Sequence, residues 1–174
     1  MKDGLHIDFE TYSEQSLRTV GVYRYVRDPS FEPLMMGWGF SSSEDVGLWL
    51  PTESLDLPEE VVDHIESGGI VKAFNVEFER TVWNQYCVPV LGWPRVSLNQ
   101  WHCSAARAAA AGLPRSLDKV AAALNLSIRK DPEGMRLIKL FCSPRKATKK
   151  DNRGKAGNNN NNNNKNGNGG GNNN

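Results

Sequence analysis

Residues 6–11 read His-Ile-Asp-Phe-Glu-Thr, and this short run limits the fold more than any other segment. Leu5, Ile7 and Phe9 alternate with His6, Asp8 and Glu10. A period of two belongs to a strand, and side chains two apart share a face. The run therefore predicts a sheet strand with one apolar face and with Asp8 and Glu10 side by side on the other. Neighbouring carboxylates repel unless a cation lies between them. A hard divalent cation such as Mg²⁺ or Mn²⁺ prefers carboxylate oxygen. In a chain with 20 acidic residues, the same triplet also reads as a strand end passing into a polar turn.

A second segment tips this balance. Residues 71–80 read VKAFNVEFER. A short apolar strand delivers Asn75, and a helix follows at once with Phe78 and Glu79 in its first turn. An acid there is favoured by the positive end of the helix dipole. If this strand lies beside the first, Glu79 faces Asp8 and Glu10, and three carboxylates meet at one point. Taken singly, Asn75 reads as a cap, Phe78 as core and Glu79 as an ordinary first-turn acid. Occurring together, in this order, at the ends of two strands, they point to a divalent-metal site.

The length of 174 residues suggests one domain, and an apolar fraction of 39% is enough to bury a core. The small formal charge of +1 hides a split. Residues 1–143 are net −5 and residues 144–174 net +6. An acidic body suits metal binding better than broad capture of nucleic acid. Cys87, Cys103 and Cys142 show no CxxC spacing, which argues against a zinc site or redox pair; small buried apolar residues are the expected role. The absence of a signal-like apolar core or a membrane-length apolar run leads us to expect a cytoplasmic protein with no membrane partner.

Strands are expected at 4–10, 33–42 and 46–50, the last two joined as a hairpin through Ser43-Glu44-Asp45. A helix opens at Pro58 and ends at Gly68-Gly69. A strand over 70–74, a helix over 76–86 and an edge strand over 96–101 follow. Helices are then expected over 102–112, after the N-cap candidate Ser116 with Leu117, Val120, Ala121 and Leu124 on one side, and over 133–141. This order implies an α/β fold, a mixed sheet of about five strands flanked by helices. Residues 1–146 form the expected domain. Residues 147–174 are basic and then almost wholly Asn and Gly, and read as a disordered tail.

The motif DFET followed by N-x-x-F-E resembles the first two motifs of the DnaQ-like (DEDD) 3′–5′ exonucleases. Three longer segments, at 21–40, 112–126 and 130–146, resemble the proofreading domain of phage-type family A DNA polymerases. The resemblance implies a ribonuclease-H-like fold and two-metal hydrolysis of terminal phosphodiesters, with two Mg²⁺ or Mn²⁺ ions as cofactors. It implies that Asp8 bridges both metals, that Glu10 binds the first beside the attacking water, and that Glu79 is the second-motif acid, where Asp is more usual. It also implies that Thr11, Asn75 and Phe78 hold the 3′-terminal nucleotide, and that Leu17 is an apolar wedge near the last base. The implied partners are a single-stranded DNA 3′ end and a polymerase domain C-terminal to this one.

The third motif of that family, Tyr-x-x-x-Asp or His-x-x-x-x-Asp, is not present in the sequence. The four-residue spacing fails at Asp118, Asp131 and Asp151, and the five-residue spacing fails at His6, His64 and His102. The expectation is a domain lacking its last helix, with impaired turnover. The alternative is a non-catalytic nucleic-acid- or partner-binding module on the same fold.

Overall fold

The computed structural model describes residues 4–127, 131–142 and 144. The chain divides after Pro144 into two units, and the described residues all belong to the first. The expected tail lies outside the described residues.

The acid-bearing strand is the centre of the sheet. Strand β1 (Gly4–Tyr12) pairs antiparallel with β2 (Glu32–Phe40) and parallel with β4 (Ile70–Ala73). Strands β3 (Val46–Trp49) and β5 (Trp101–Cys103) form the edges, giving the order β3-β2-β1-β4-β5. The parallel β1–β4 pairing is the arrangement on which convergence of Glu79 with Asp8 depends. Register places Leu5, Ile7 and Phe9 opposite Phe40, Trp38 and Met36, and places Asp8 opposite Gly37. Helices flank this mixed sheet, an α/β architecture of the ribonuclease-H-like kind.

One face of the sheet is tightly packed. Leu5, Met36 and Val71 are wholly buried, beside Ile7, Phe9, Trp49, Ala73 and Trp101. Helix α2 (Glu59–Glu66) contributes Val61 and Ile65. Helix α3 (Val76–Val82) contributes Val82, and the wide π turn that follows, Trp83–Cys87, contributes Trp83 and Cys87. Trp93 lies 4.9 Å from Trp83 and 4.8 Å from Trp49, ring centre to ring centre. Such contacts add about 0.5–1.5 kcal/mol each beyond simple burial. The indole nitrogens of Trp83 and Trp93 donate to the Pro94 and Leu55 carbonyls, both at 2.9 Å, so these rings meet no desolvation penalty at their polar ends.

Several elements depart from expectation. Helix α1 (Leu17–Val26) has no counterpart in the sequence reading. It is two short helical pieces joined at Gly21, whose φ of 76° breaks the regular turn. The expected helix over 76–86 is α3, the π turn and then α4 (Val88–Leu91). The edge strand begins at Trp101 rather than ending there, because Ser97 and Gln100 close a capping box that curls Leu98–Gln100 into a 3₁₀ turn. Helix α5 (Ser104–Ala110) therefore starts later than expected, with Cys103 as its N-cap. Helix α6 (Leu117–Ala123) buries Val120 and Ala121, whereas Leu117 and Leu124 are exposed. Helix α7 (Pro132–Phe141) is capped by Asp131, whose carboxylate accepts from the Glu133 and Gly134 amides.

Candidate active site

Strand alternation places His6, Asp8 and Glu10 on the face opposite the core. His6 and Asp8 are exposed and Glu10 is half-buried. Phe9, between the acids, is 5% exposed and stands 6.4 Å from Trp83. The core thus fixes the strand's rotation, and the strand presents the acids. The pairing of β1 with β2 shifts register between Glu10 and Thr11. Phe9, Glu10 and Thr11, consecutive in sequence, line one pocket.

Glu79 arrives from α3, which two residues, Phe74 and Asn75, separate from the end of β4. It is a buried carboxyl, 4% exposed, and its Oε2 atom has no hydrogen-bond partner. Burial raises its pKa to about 7; its own backbone N–H opposes this, and the charge of Asp8 adds to it. An ionisable oxygen so placed is costly unless something compensates it. A divalent cation would satisfy Oε2 and relieve the repulsion with Asp8. Asp8 and Glu79 therefore fit the expected Mg²⁺ or Mn²⁺.

Glu10 is differently engaged. The Cys142 thiol, just beyond α7, donates to Glu10 Oε2 at 3.6 Å. Burial, and after it the Glu10 charge, pushes the Cys142 thiol up to about 11. Cys142 is thus not the buried apolar residue expected of it; its sulfur lies against a carboxylate. Among the described residues, no group of three or more His, Cys, Asp or Glu side chains gathers closely enough to hold a metal ion. The structure brings Asp8 within electrostatic reach of Glu79 and places Glu10 toward α7.

The pocket beside Glu10, about 450 Å³, gathers most of the residues expected to meet a nucleotide. Thr11, Leu17, Phe78 and Tyr25 line it, with Cys142 at its α7 side. Leu17, at the start of α1, is 40% exposed, and Phe78 is half-buried. Asn75 is not among the lining residues. It is the exposed N-cap of α3 and makes no side-chain capping bond. Its carbonyl accepts from the Phe78 amide at 3.0 Å, so its contribution is to the turn that delivers Phe78 and Glu79.

Tyr25 is a residue that the sequence reading missed. Its hydroxyl lies 3.0 Å from Thr11 Oγ1 and donates to the Thr11 carbonyl at 3.2 Å. Burial is the main reason its pKa is raised. The signal available was the apolar-aromatic run Val20 to Val26, which is readable as a helix once Gly21 is allowed as a kink. Nothing in the sequence pattern marks Cys142 as a neighbour of Glu10, 132 positions away.

No family model matches this chain. Over 150 residues, 83% of its length, it is 38% identical to a protein named DNA polymerase from Bacillus phage SP02. The chain spans 22% of the length of that curated relative. It is thus similar to one part of a phage DNA polymerase. Among the described residues, no helix is long and apolar enough to cross a membrane.

Proposed function

We infer that the body of this chain is a 3′–5′ exonuclease-type domain related to the proofreading part of phage DNA polymerases. The observation that carries this reading is Glu79: a buried carboxyl with an unpartnered oxygen, coupled to Asp8, at the first turn of the helix that follows a strand parallel to β1. Structural carboxylates are normally exposed or paired. Similarity to one part of a phage DNA polymerase supports DNA as the substrate class.

Asp8 and Glu79 would hold a Mg²⁺ or Mn²⁺ ion, and Glu10 would contribute from the pocket side. Bound there, a divalent cation would lower the pKa of a coordinated water and offset charge on the phosphodiester. The protein's own groups do the rest. Leu17 and Phe78 offer apolar surface to a terminal base, and an unpaired base stacks readily on such a surface. Thr11, held by Tyr25, is positioned by two hydrogen bonds. The product would be a nucleoside 5′-monophosphate released from a 3′ end. The test is digestion of 3′-labelled single-stranded DNA in Mn²⁺ by wild type and by Asp8→Ala. Hydrolysis that survives the substitution unchanged would remove this reading.

A second reading, a non-catalytic module that binds nucleic acid or a protein partner, is favoured by one observation. Glu10 is hydrogen-bonded to Cys142 rather than gathered with Asp8 and Glu79 among the described residues. Single-strand binding that is indifferent both to chelation and to Asp8→Ala, with no hydrolysis, would establish it.

A further inference from the structure

A second polar cluster stands at the start of β1, away from the pocket. Ser41, the residue after β2, is its hub. The Ser41 hydroxyl donates to the Gly4 carbonyl at 3.0 Å, lies 3.0 Å from His6 Nε2, and accepts from Lys72 Nζ at 2.9 Å. Lys72 belongs to β4 and must cross β1 to reach a residue that follows β2. Gly4 allows the crossing, because a Cβ at that position would collide with Lys72 Cε and Nζ. The ammonium is thus laid across bare backbone rather than extended into water. Among the described residues, no carboxylate lies within ion-pair distance of it.

Register puts Lys72 opposite His6 on one side and His102 on the other. One row across the sheet therefore carries His6, Lys72 and His102, on the face that carries Asp8. A shallow groove of about 450 Å³ runs from His6 past Gly39 and Gly37 to Asp8. Both glycines leave its floor bare; a Cβ on Gly37 would meet nothing nearer than the Asp8 carbonyl at 4.0 Å. Asp45, on the β3 rim of the groove, accepts from the Ser43 hydroxyl at 3.1 Å.

The Ser41 hydroxyl spends its one proton on the Gly4 carbonyl, whereas the Lys72 ammonium keeps two N–H groups beyond its bond to Ser41, and an ammonium held in place in this way is a donor suited to a phosphate. His6 and Asp8 are about 7 Å apart along the strand, a span comparable with one nucleotide of an extended single strand. We propose that Lys72, held in place by Ser41, forms a phosphate-binding subsite beside His6 that seats a backbone phosphate of the single strand whose 3′ end reaches Asp8. This rests on the exonuclease-type reading for its ligand, but it is separable from catalysis.

The experiment is fluorescence anisotropy of a labelled oligothymidylate with the full chain, in EDTA so that nothing is cleaved, across a salt series. Lys72→Ala weakens binding at low salt and makes the dependence of log K on log salt shallower by about 0.7–1, the loss of one phosphate contact. Lys72→Arg keeps the wild-type slope and serves as the folded control. Lys119→Ala, on α6, also keeps it. A slope unchanged in Lys72→Ala, an equal loss in Lys119→Ala, or no measurable binding by wild type overturns the subsite. A strand that binds with the expected slopes but is not cleaved in Mn²⁺ sinks the exonuclease reading and leaves the subsite standing.

Discussion

The two faces of the central sheet share one backbone and little else. On the packed face, each strand presents an apolar side chain at the matching register position: Leu5 and Val71, Phe9 and Met36, Met36 and Trp49, Val71 and Trp101. On the opposite face, the same strands present His6, Asp8, Gly37, Gly39, Lys72 and His102. Two apolar residues on β3 of that face, Val46 at 80% and Leu48 at 56%, stand largely in solvent. Alternation obliges every strand to divide its residues this way. The division separates two tasks: the packed face sets the position of β1, and the other presents chemistry from that position. The acids can therefore change with little loss of fold, while changes beneath them disturb both.

The largest expected effect tests the packed side. Trp83→Ala removes a fully buried ring and should cost about 3–5 kcal/mol of unfolding free energy, read by denaturant titration. A loss under about 1 kcal/mol would mean the two faces are not so different in weight. Next is Asp8→Ala. It should slow Mn²⁺-dependent release of a 3′ label roughly 100-fold or more, equivalent to about 2.7 kcal/mol in the barrier, while leaving the denaturation midpoint near wild type.

Glu79 lies where the two tasks meet, and its response depends on pH. Burial holds its carboxyl protonated up to about 7, whereas the unfolded chain releases that proton near the ordinary value of about 4.3. The folded state thus binds the proton more tightly. The associated stability is fully present below the unfolded value, falls as pH rises toward 7, and is absent above it. Glu79→Gln in EDTA should therefore raise stability at pH 8 by about 1–3 kcal/mol and change it little at pH 4. Added Mn²⁺ should stabilise wild type and not the variant. The smallest effect is expected on the open face: Val46→Ser should stay within about 0.5 kcal/mol of wild type by thermal melting. A cost comparable with that of a core substitution would show that this face is covered in solution.

Much of this division was legible in the chain itself. The alternation from Leu5 to Glu10 carries both the central strand and the pairing of its acids, because one face of a strand must go inward. The strand-to-helix step at Asn75 carries the placement of Glu79. What escaped has particular causes. The pairing shift after Glu10 leaves no mark in the alternation of residue types, and that Phe9, Glu10 and Thr11 line one pocket depends on helices that pack there from distant parts of the chain. Helix α1 was hidden by Gly21. The Glu10–Cys142 contact depends on how α7 packs, which neither periodicity nor spacing encodes.

The wide turn at Trp83–Cys87 has a mechanical consequence. Glu79 and Trp83 sit four positions apart on one continuous helical path, the first beside Asp8 and the second wholly inside the hydrocarbon interior. The interior that holds Trp83 therefore also fixes where Glu79 stands. A substitution that loosens the packing around Trp83 should shift the Glu79 carboxyl as well as lower the melting temperature.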